Sequence, residues 1–565
     1  MNAKKLLSDA VIYCDKKVAE QLPYQVFDKG SPDYGGLLSE SLGFCSATHT
    51  ETSGFIQYMG FSYCSKGSKY FNNHEIFERI LAALKFLESK QRKSGFVDLR
   101  ERNYDSPPDT AFAIGALYPV AWMAKHLPGI EKGGELYNAI RPFVTKGASA
   151  IADHGGFHTP NHRWIIAGAM SGANDVYPEL DCRSAINSYF REGIDLNSDG
   201  IYSEKSIFYS AHINRKLIDA YYFLGDDYIA DNILKNCRCI ADLMNDDSSI
   251  LTSMSIRQDN GKHVFPVNFV SCFYFAAKYA NDERLFSAID KICKKNPVED
   301  VMLIYLFARN PEWLEDDIKT PEFKQTETKL FADTGIWALH RDELDIFVMK
   351  GVTTQICMRF GDVFLKAIKI FAPYFSEATY LGRELTETDN GVRMTIRPTY
   401  GAEQRIYMPG YWKPIDRHVS FDELPYNNLK ARVPSPRPDI EYVFDIKKTD
   451  GGIDLTVSSN GGIDGAHFAL QFDFALPGSV LTENTYEEVC APKSTILTSG
   501  YLTYRKGIYA VKIGPGFFAH NMVSPDEADC TVNMTANLPL CKTIHITFEK
   551  TVGHAVNDYY IQRKD

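Results

Sequence analysis

Asn310-Pro-Glu-Trp-Leu-Glu-Asp-Asp-Ile-Lys-Thr-Pro321 is the stretch at which this 565-residue chain changes character. Before it, apolar residues recur three and four positions apart, which is the period of a helix. After it, apolar and β-branched residues alternate, which is the period of a strand. A charged connector with a proline near each end continues neither pattern. We therefore predict a helical domain over residues 1–320 and an antiparallel β domain over residues 321–565.

The part before the connector is predicted to form a series of helices joined by short polar or glycine-bearing links. Many helices joined in this way favour a helical barrel or a solenoid in which neighbours pack antiparallel. No fixed-period repeat is present, which argues against the common repeat families. The predicted helices include an amphipathic one at the N-terminus and the ranges 110–127, 136–153, 162–170, 182–194, 211–224, 228–244 and 267–279.

The part after the connector is predicted to form strands separated by strong turn signals. Asp450-Gly451-Gly452 and Asn460-Gly461-Gly462 are typical of tight turns between antiparallel strands. Alternating strands of this kind indicate a sandwich-like domain. The predicted strands cover residues 346–352, 392–396, 453–457, 467–474, 501–513 and 543–548.

Composition excludes several classes of function. The apolar content of 44% with 24% charged residues is that of a globular protein. A net charge of −11 without a basic block makes nucleic acid an unfavoured partner. No run approaches the roughly 18 apolar residues that span a membrane, and the N-terminus lacks the apolar core of a signal peptide. Twelve cysteines without a repeated spacing favour reduced thiols and a cytoplasmic protein, or a periplasmic or secreted one if a leader has been removed.

The stretch His154-Gly-Gly-Phe-His-Thr-Pro-Asn-His-Arg-Trp164 is the most polar candidate for a functional site. Pro160 suits the first turn of a helix, so the residues after it are predicted to lie at a helix N-terminus. Unpaired backbone N–H groups and the helix dipole favour a bound anion at such a place. An amide, an imidazole and a guanidinium there are suited to binding a carboxylate, although a plain helix cap explains Asn161 and His162 equally well.

Three further polar segments lie between predicted helices, where a helical barrel gathers its loops at one end. They are the segments 103–110, 199–209 and 255–259. Together with the stretch above, their motifs resemble those of the heparinase II/III-like polysaccharide lyases. The matching pieces are Ser-Pro-Pro-Asp-Thr-Ala-Phe at 106–112, Asn-His-Arg-Trp at 161–164, Asp-Gly-Ile-Tyr-Ser-Glu at 199–204 with Tyr209, and Arg-Gln-Asp at 257–259.

The resemblance covers roughly residues 100 to 260 and implies both a fold and an activity. The implied fold is an (α/α) toroid, which is an incomplete helical barrel, followed by an antiparallel β-sandwich domain. The implied activity is cleavage of an acidic polysaccharide or oligosaccharide at a uronic acid by β-elimination, without a cofactor. Hyaluronan- or chondroitin-type, gellan-type and alginate substrates stay open. The β half matches in architecture only, and the stretch 371–377 lacks the metal motif that some relatives carry there, so no metal is predicted.

The resemblance also assigns roles to residues. Asn161 is the candidate that neutralises the uronate carboxylate, and either Tyr209 or His162 is the base, depending on the C5 epimer. Arg257 either binds a substrate anion or pairs with Asp259 or Glu204 inside the fold. Trp164 is either a platform for a sugar ring or a packing residue. The candidates for substrate binding are Asn103, Arg163, Trp164, Glu204, Arg257, Gln258 and Asp259.

Other functions remain as alternatives. A glycoside hydrolase needs two carboxylates beside the scissile bond, and Asp105, Asp109, Glu204 and Asp259 are available. A non-catalytic glycan-binding protein is the alternative from another class. A zinc site on His154, His158 and His162 is disfavoured, because the glycines and the proline between them break the helix that would align the three rings.

Overall fold

The computed structural model describes residues 2–375, 378–400, 406–407, 418, 420–423, 433–434, 438–524 and 529–551. The chain is a mixed α+β protein that separates into two compact units. The first unit comprises Met1–Met244 and Ser248–Lys324, and the second comprises Asn245–Asp247 and Gln325–Asp565.

Within the described residues, the first unit contains twelve α-helices and one short hairpin. The hairpin pairs β1 (Val97–Leu99) with β2 (Asn103–Ser106). The helices are α1 (Ala3–Gln21), α2 (Thr52–Cys64), α3 (His74–Lys90), α4 (Pro107–His126), α5 (Gly133–His154), α6 (Pro160–Val176), α7 (Arg183–Phe190), α8 (Ile207–Leu224), α9 (Asp227–Asp242), α10 (Val270–Ala280), α11 (Glu283–Lys295) and α12 (Met302–Arg309).

The helix starts follow from local sequence. The side chains of Ser106 and Ser206 accept hydrogen bonds from the backbone N–H groups of Asp109 and Tyr209, and so cap α4 and α8. Pro160 is the first residue of α6, where its missing N–H costs nothing. The prediction that Asn161 and His162 lie at a helix N-terminus is therefore confirmed.

The helices contact one another in a closed order. α1 contacts α2, and contacts then run through α4, α6, α8, α10 and α12, which returns to α1. α3, α5, α7, α9 and α11 each contact members of this series. Consistent with that position, Trp164, Ile166 and Ala167 of α6 are completely buried. None of the helices in the described ranges combines the length and apolar character needed to cross a membrane.

Glycine permits the close packing of α6. A Cβ atom on Gly168 would lie 2.3 Å from the carbonyl oxygen of Lys216 on α8. A Cβ atom on Gly172 would lie 2.3 Å from the ring of Tyr118 on α4. Since real Cβ contacts are never so short, only glycine allows α6 to approach both neighbours at this distance.

The described residues of the second unit form two large sheets and a small two-stranded antiparallel sheet of β10 with β11. In the described residues, one sheet has the order β16-β15-β18-β19-β21-β13-β12-β9-β8 and the other β17-β20-β14-β7-β6-β5-β4-β3. The strands are β3 (Thr328–Phe331), β4 (Ile336–Arg341), β5 (Leu344–Met349), β6 (Ile356–Phe360), β7 (Val363–Phe371), β8 (Ala378–Thr388), β9 (Gly391–Tyr400), β10 (Ile406–Tyr407), β11 (Val433–Pro434), β12 (Ile440–Thr449), β13 (Gly452–Gly461), β14 (His467–Phe474), β15 (Gly478–Leu481), β16 (Tyr486–Val489), β17 (Lys493–Ile496), β18 (Leu502–Lys506), β19 (Tyr509–Gly514), β20 (Cys530–Asn537) and β21 (Cys541–Lys550).

The two sheets share one hydrophobic core. Phe444 and Ile546 from the first sheet and Leu365 and Phe472 from the second belong to the same buried cluster. The pairings are antiparallel, except that β17 runs parallel to β20. This parallel pair is an exception to the predicted antiparallel arrangement of the domain.

Candidate active site

The first part of the candidate site is the N-terminal turn of α6. Asn161 is only 1% exposed, and its Oδ1 accepts a hydrogen bond of 2.6 Å from the Thr159 hydroxyl. Its Nδ2, also buried, has no partner among the described residues. The amide therefore has its acceptor engaged and both donor hydrogens available for a ligand.

Glu204 and Arg257 lie beside this turn. Glu204 is 2% exposed, and its Oε1 is 3.5 Å from the backbone nitrogen of Asn161 and 3.7 Å from Nη1 of Arg257. Burial raises the pKa of the Glu204 carboxyl, while Arg257 and the Asn161 N–H act in the opposite direction. The buried atoms Oε2 of Glu204 and Nε of Arg257 have no partner in the described structure.

Tyr209 lies in the first turn of α8 and faces the same guanidinium. The Arg257 carbon Cζ is 4.6 Å from the centre of the Tyr209 ring, and the Tyr209 hydroxyl donates a 3.0 Å hydrogen bond to Oε1 of the exposed Gln258. A cation at the ring face stabilises negative charge that develops on the tyrosine oxygen. The structure thus brings Tyr209 next to Arg257 and Arg257 next to Glu204, which in turn lies beside the backbone of Asn161.

His162 is held in an apolar setting. Its ring meets Phe112 edge-on with 6.0 Å between centres, and the exposed His158 ring lies 4.7 Å away. Burial, with a smaller contribution from His158, lowers the pKa of His162 to about 4. His162 is therefore neutral at pH 7, and its buried Nδ1 has no partner in the described residues.

The buried carboxylates of Asp109 and Asp259 bind the loop and helix starts around the site. Asn103 Nδ2 donates to the buried Asp109 at 3.0 Å, and the Ser106 hydroxyl donates to the same Asp109 oxygen at 2.5 Å. The buried Asp259 accepts hydrogen bonds from the hydroxyls of Ser206, the cap of α8, and of Ser255. Both carboxylates thus hold loop and helix starts in place.

Arg163 and Trp164 point away from this cluster. The Arg163 guanidinium donates to the carbonyl oxygen of Tyr189, with Nε at 3.0 Å. Trp164 is completely buried, and its Nε1 donates to Asp195 at 2.5 Å. A buried indole leaves no face for a sugar ring, so the structure corrects the expectation that Trp164 stacks on substrate. Both residues instead fasten α6 to the segment that follows it.

Four of the candidate residues therefore share one property. Asn161, His162, Glu204 and Arg257 each carry a buried polar atom without a partner, although buried polar atoms in folded proteins are almost always satisfied. Amide and guanidinium donors, a neutral imidazole and a phenol in one cluster can bind a carboxylate and move a proton beside it.

His49, Phe112 and His212 lie beside the candidate residues but were not predicted for the site, although Phe112 ends the motif at 106–112. His49 stacks on Phe112 with 4.3 Å between ring centres, and Phe112 contacts His162. His212 lies 6.4 Å from Tyr209 by ring centres. His212 is one turn after Tyr209, which is a signal in the sequence, whereas His49 is more than a hundred residues before His162 and carries none.

The structure gives no metal ligand set at the three clustered histidines. His154 ends α5 and is exposed, and His158 is exposed in the loop before α6. Across the described residues, no group of three or more histidine, cysteine, aspartate or glutamate side chains is arranged to hold a metal ion. Positions 376 and 377 of the stretch 371–377 lie outside the described residues.

Comparisons with known proteins identify solved structures with a similar fold but no similar sequence. No protein-family model and no curated protein matches the chain. A heparinase III structure aligns with a TM-score of 0.56 at 9% identity, covering 92% of this chain and 81% of its own. A second heparinase III aligns with a TM-score of 0.55 at 10% identity, covering 95% and 84%. A mutant of the heparan sulfate lyase HepC from Pedobacter heparinus aligns with 0.53 at 9% identity, covering 96% and 84%. The chain has the fold of the heparinase-like polysaccharide lyases, as the sequence motifs predicted.

Proposed function

We propose that this protein is a polysaccharide or oligosaccharide lyase that cleaves a glycosidic bond at a uronic acid by β-elimination. The observation that carries the proposal is the cluster of Asn161, His162, Glu204 and Arg257, whose buried polar atoms lack partners beside Tyr209. The heparinase-like fold supports it, because the named neighbours are lyases of acidic glycans.

The first task of such an enzyme is to make the C5 proton of the uronate more acidic. The carboxylate attached to C5 already bears a negative charge, which opposes the loss of a further proton. Donors on the carboxylate let charge flow into an enolate-like state. Asn161 Nδ2 and the Arg257 guanidinium are the donors available for this task, because Asn161 Nδ2 and Arg257 Nε have no partner among the described residues.

The second task is proton transfer. A base removes the C5 proton, the bond from C4 to the glycosidic oxygen breaks, a double bond forms between C4 and C5, and an acid protonates the departing oxygen. Tyr209 carries a hydroxyl under a cation, and His162 is a neutral imidazole, so either is chemically able to accept the proton. The C5 epimer decides which of them faces it, and both assignments stay open.

The proposal includes the finer architecture of the chain. The closed contact order of α1, α2, α4, α6, α8, α10 and α12 supports an incomplete (α/α) toroid over residues 1–320. The common core of the two sheets supports a β-sandwich domain over residues 321–565. In this arrangement the toroid contributes Asn161, His162 and Tyr209 from neighbouring helix starts.

A glycoside hydrolase is the less favoured alternative. Of the four carboxylates available, Asp109 and Asp259 are buried and engaged by the hydroxyls and amide that cap helices. Asp105 accepts a hydrogen bond from the Ser94 hydroxyl at 2.5 Å. Glu204 alone has a buried oxygen without a partner, whereas a hydrolase needs a pair.

The test mixes the purified protein with each member of a panel of uronate polysaccharides and follows the ultraviolet absorbance of the products. β-Elimination creates a double bond conjugated with the carboxylate, which absorbs where the substrate does not. We expect absorbance to rise with the wild type. Tyr209→Phe lowers the rate about 10²–10⁴-fold if it is the base or acid, and Asn161→Ala about 10²–10³-fold through lost charge stabilisation.

Tyr24→Phe is the matched control, because Tyr24 is an exposed tyrosine of the same unit. It should cleave at the wild-type rate. New reducing ends without absorbance would establish a hydrolase instead and direct attention to the carboxylates. Binding of a polymer without either product would establish a glycan-binding protein.

A further inference from the structure

A cavity of about 630 Å³ lies in the helical unit, at the end of α4 opposite to the candidate site. Phe112, whose ring contacts His162, is near the first residue of α4, whereas Trp122 and Met123 of the cavity wall are near its last. The helix between Phe112 and Trp122 is about 15 Å long, at 1.5 Å per residue. The cavity is therefore separate from the site proposed for β-elimination.

The buried part of the cavity wall is apolar. Its apolar side chains come from α1, α2, α4 and α12, are each at most 5% exposed, and are Val11, Cys64, Met123, Ile304 and Phe307. The one hydroxyl buried in the wall, that of Ser65, already donates to the carbonyl oxygen of Phe61 at 2.6 Å. Polar ligand groups that entered here would lose water without gaining partners, whereas an apolar chain would gain from leaving water.

The exposed part of the wall carries positive charge. Apart from the titratable His126, its charged side chains are Lys4 and Lys66, and no acid occurs in the wall, which lies wholly in the described part of the chain. Lys4 Nζ is 2.9 Å from the carboxylate of Glu315, which is 77% exposed and outside the wall. Lys66 forms no ion pair with a described residue. Since exposed ion pairs are weak, an anion at this place can engage both ammonium groups.

We infer that this cavity binds a single-chain amphiphile with an anionic head, of the class of long-chain carboxylates. The apolar chain lies among the buried side chains of the wall, and the carboxylate lies at Lys4 and Lys66. Cavities of about 300–1,000 Å³ hold ligands of this size. A positively charged head would meet the two lysines with like charge, which disfavours a cationic amphiphile. The inference does not depend on the proposed lyase activity.

The first experiment is isothermal titration calorimetry of the full chain with dodecanoate below its micellar concentration. We expect saturable binding at one site. Decanoate should bind about tenfold more weakly, because it lacks two methylene groups that the apolar wall buries. Dodecyltrimethylammonium, which has the same chain length and a positive head, should displace dodecanoate about tenfold less readily than unlabelled dodecanoate does.

A substitution in the wall tests where the ligand binds. Ser8 is an exposed wall residue of α1, so Ser8→Trp places an indole in the exposed part of the cavity. It should weaken dodecanoate binding by about tenfold or more. Ile12→Trp, one turn later on α1, is the matched control, because Ile12 is 64% exposed and is not a wall residue. Circular dichroism of both variants checks that the helices are retained.

A second substitution tests the position of the carboxylate. Lys66→Gln should weaken dodecanoate binding about two- to fivefold through the loss of one exposed charge contact. The difference from wild type should disappear at about 1 M salt, where the charge is screened. Lys69→Gln is the control, since Lys69 is an exposed lysine of the same loop and is not a wall residue. An unchanged affinity in Lys66→Gln at low salt would contradict the anionic head.

Other occupants of the cavity give different results. Binding of phosphatidylglycerol vesicles without binding of monomeric dodecanoate would overturn the inference in favour of a membrane surface. A dimer in sedimentation velocity that Ser8→Trp dissociates would overturn it in favour of a second copy of the chain. The inference also fails if folded wild type does not bind dodecanoate, or if Ser8→Trp binds it as tightly as wild type.

Discussion

Two polar clusters of the helical unit differ in whether their buried atoms have partners. In the first, the Lys216 ammonium donates to Tyr118, Asp219 and the carbonyl oxygen of Gly115, and the Tyr118 hydroxyl donates to Asp219. In the second, Asn161 and Arg257 leave buried donors without partners. The hydrogen bonds of the first cluster are made within the protein, whereas the second cluster leaves buried donors available to a ligand.

This difference in hydrogen bonding indicates which cluster stabilises the fold and which is available for function. A satisfied buried network stabilises one arrangement of helices, and removing a member leaves a charge without its partner. A cluster with unpaired donors costs stability in the free protein and returns that energy on binding. Substitutions in the two clusters should therefore have opposite signatures in unfolding and activity measurements.

The largest expected effect is that of Asp219→Ala in the satisfied cluster. It leaves the Lys216 ammonium buried without a counter-ion, so the free energy of unfolding should fall by about 3–5 kcal/mol. Urea denaturation followed by circular dichroism measures the fall. The double variant Lys216→Met with Asp219→Leu should recover most of it, and a loss equal to that of Asp219→Ala would show that the network is not held by charge.

Two tyrosines provide the sharpest contrast. Tyr118→Phe removes a hydroxyl that donates to a carboxylate, so it should lower the unfolding free energy by about 1.5–3 kcal/mol and leave the rate unchanged. Tyr209→Phe should lower the rate of cleavage about 10²–10⁴-fold. It should change the free energy of unfolding by less than about 0.5 kcal/mol. Thermal unfolding and the absorbance assay, applied to both variants, test the contrast. An equal loss of unfolding free energy in the two variants would contradict the proposed difference between the clusters.

The lowered pKa of His162 should make the free energy of unfolding depend on pH. The folded pKa of His162 is about 4 and its ordinary value is 6.5, so the unfolded chain takes up a proton first as the pH falls. The free energy of unfolding therefore falls as the pH is lowered from 6.5 to about 4. His162→Gln should reduce the slope of unfolding free energy against pH by at most the contribution of one bound proton. Denaturation at several pH values measures the slope, which His49 and His212 also steepen.

The smallest expected effect is that of Glu204→Gln. Burial raises the folded pKa of Glu204, so the carboxylate form costs stability as the pH rises through that value, and the cost is present at pH 7. The amide should keep or raise the melting temperature at pH 7. A loss above about 1 kcal/mol would show that the Glu204–Arg257 pair is a structural partner like Asp219 and Lys216.

Much of the fold could be predicted from periodicity, because amphipathic elements show their faces in the sequence. The strand predicted over 467–474 is β14 as observed, and α6 begins at Pro160. α2 was missed because most of its residues are buried and Gly54 and Gly60 interrupt the pattern. The strand predicted over 501–513 is two strands, because Gly507, at φ 59°, turns the chain between them.

The site could be predicted in part. Asn161, Tyr209 and Arg257 stand in recognisable motifs beside helix starts, and the structure brings them together. Both alternatives for Trp164 stayed open in the sequence, because motif membership does not reveal which face of a helix a residue occupies, and the structure supports packing. His49 was missed because only the fold brings it near Phe112.

The close contact of Gly168 with Lys216 affects the positions of two candidate site residues. Asn161 lies seven residues before Gly168 on α6, and Tyr209 lies seven residues before Lys216 on α8, so both are two turns from one backbone contact. Because the two helices meet at Gly168, the packing there sets the separation of their N-terminal turns, which carry Asn161 and Tyr209. We expect a larger side chain at position 168 to move Asn161 and Tyr209 apart although it touches neither of them.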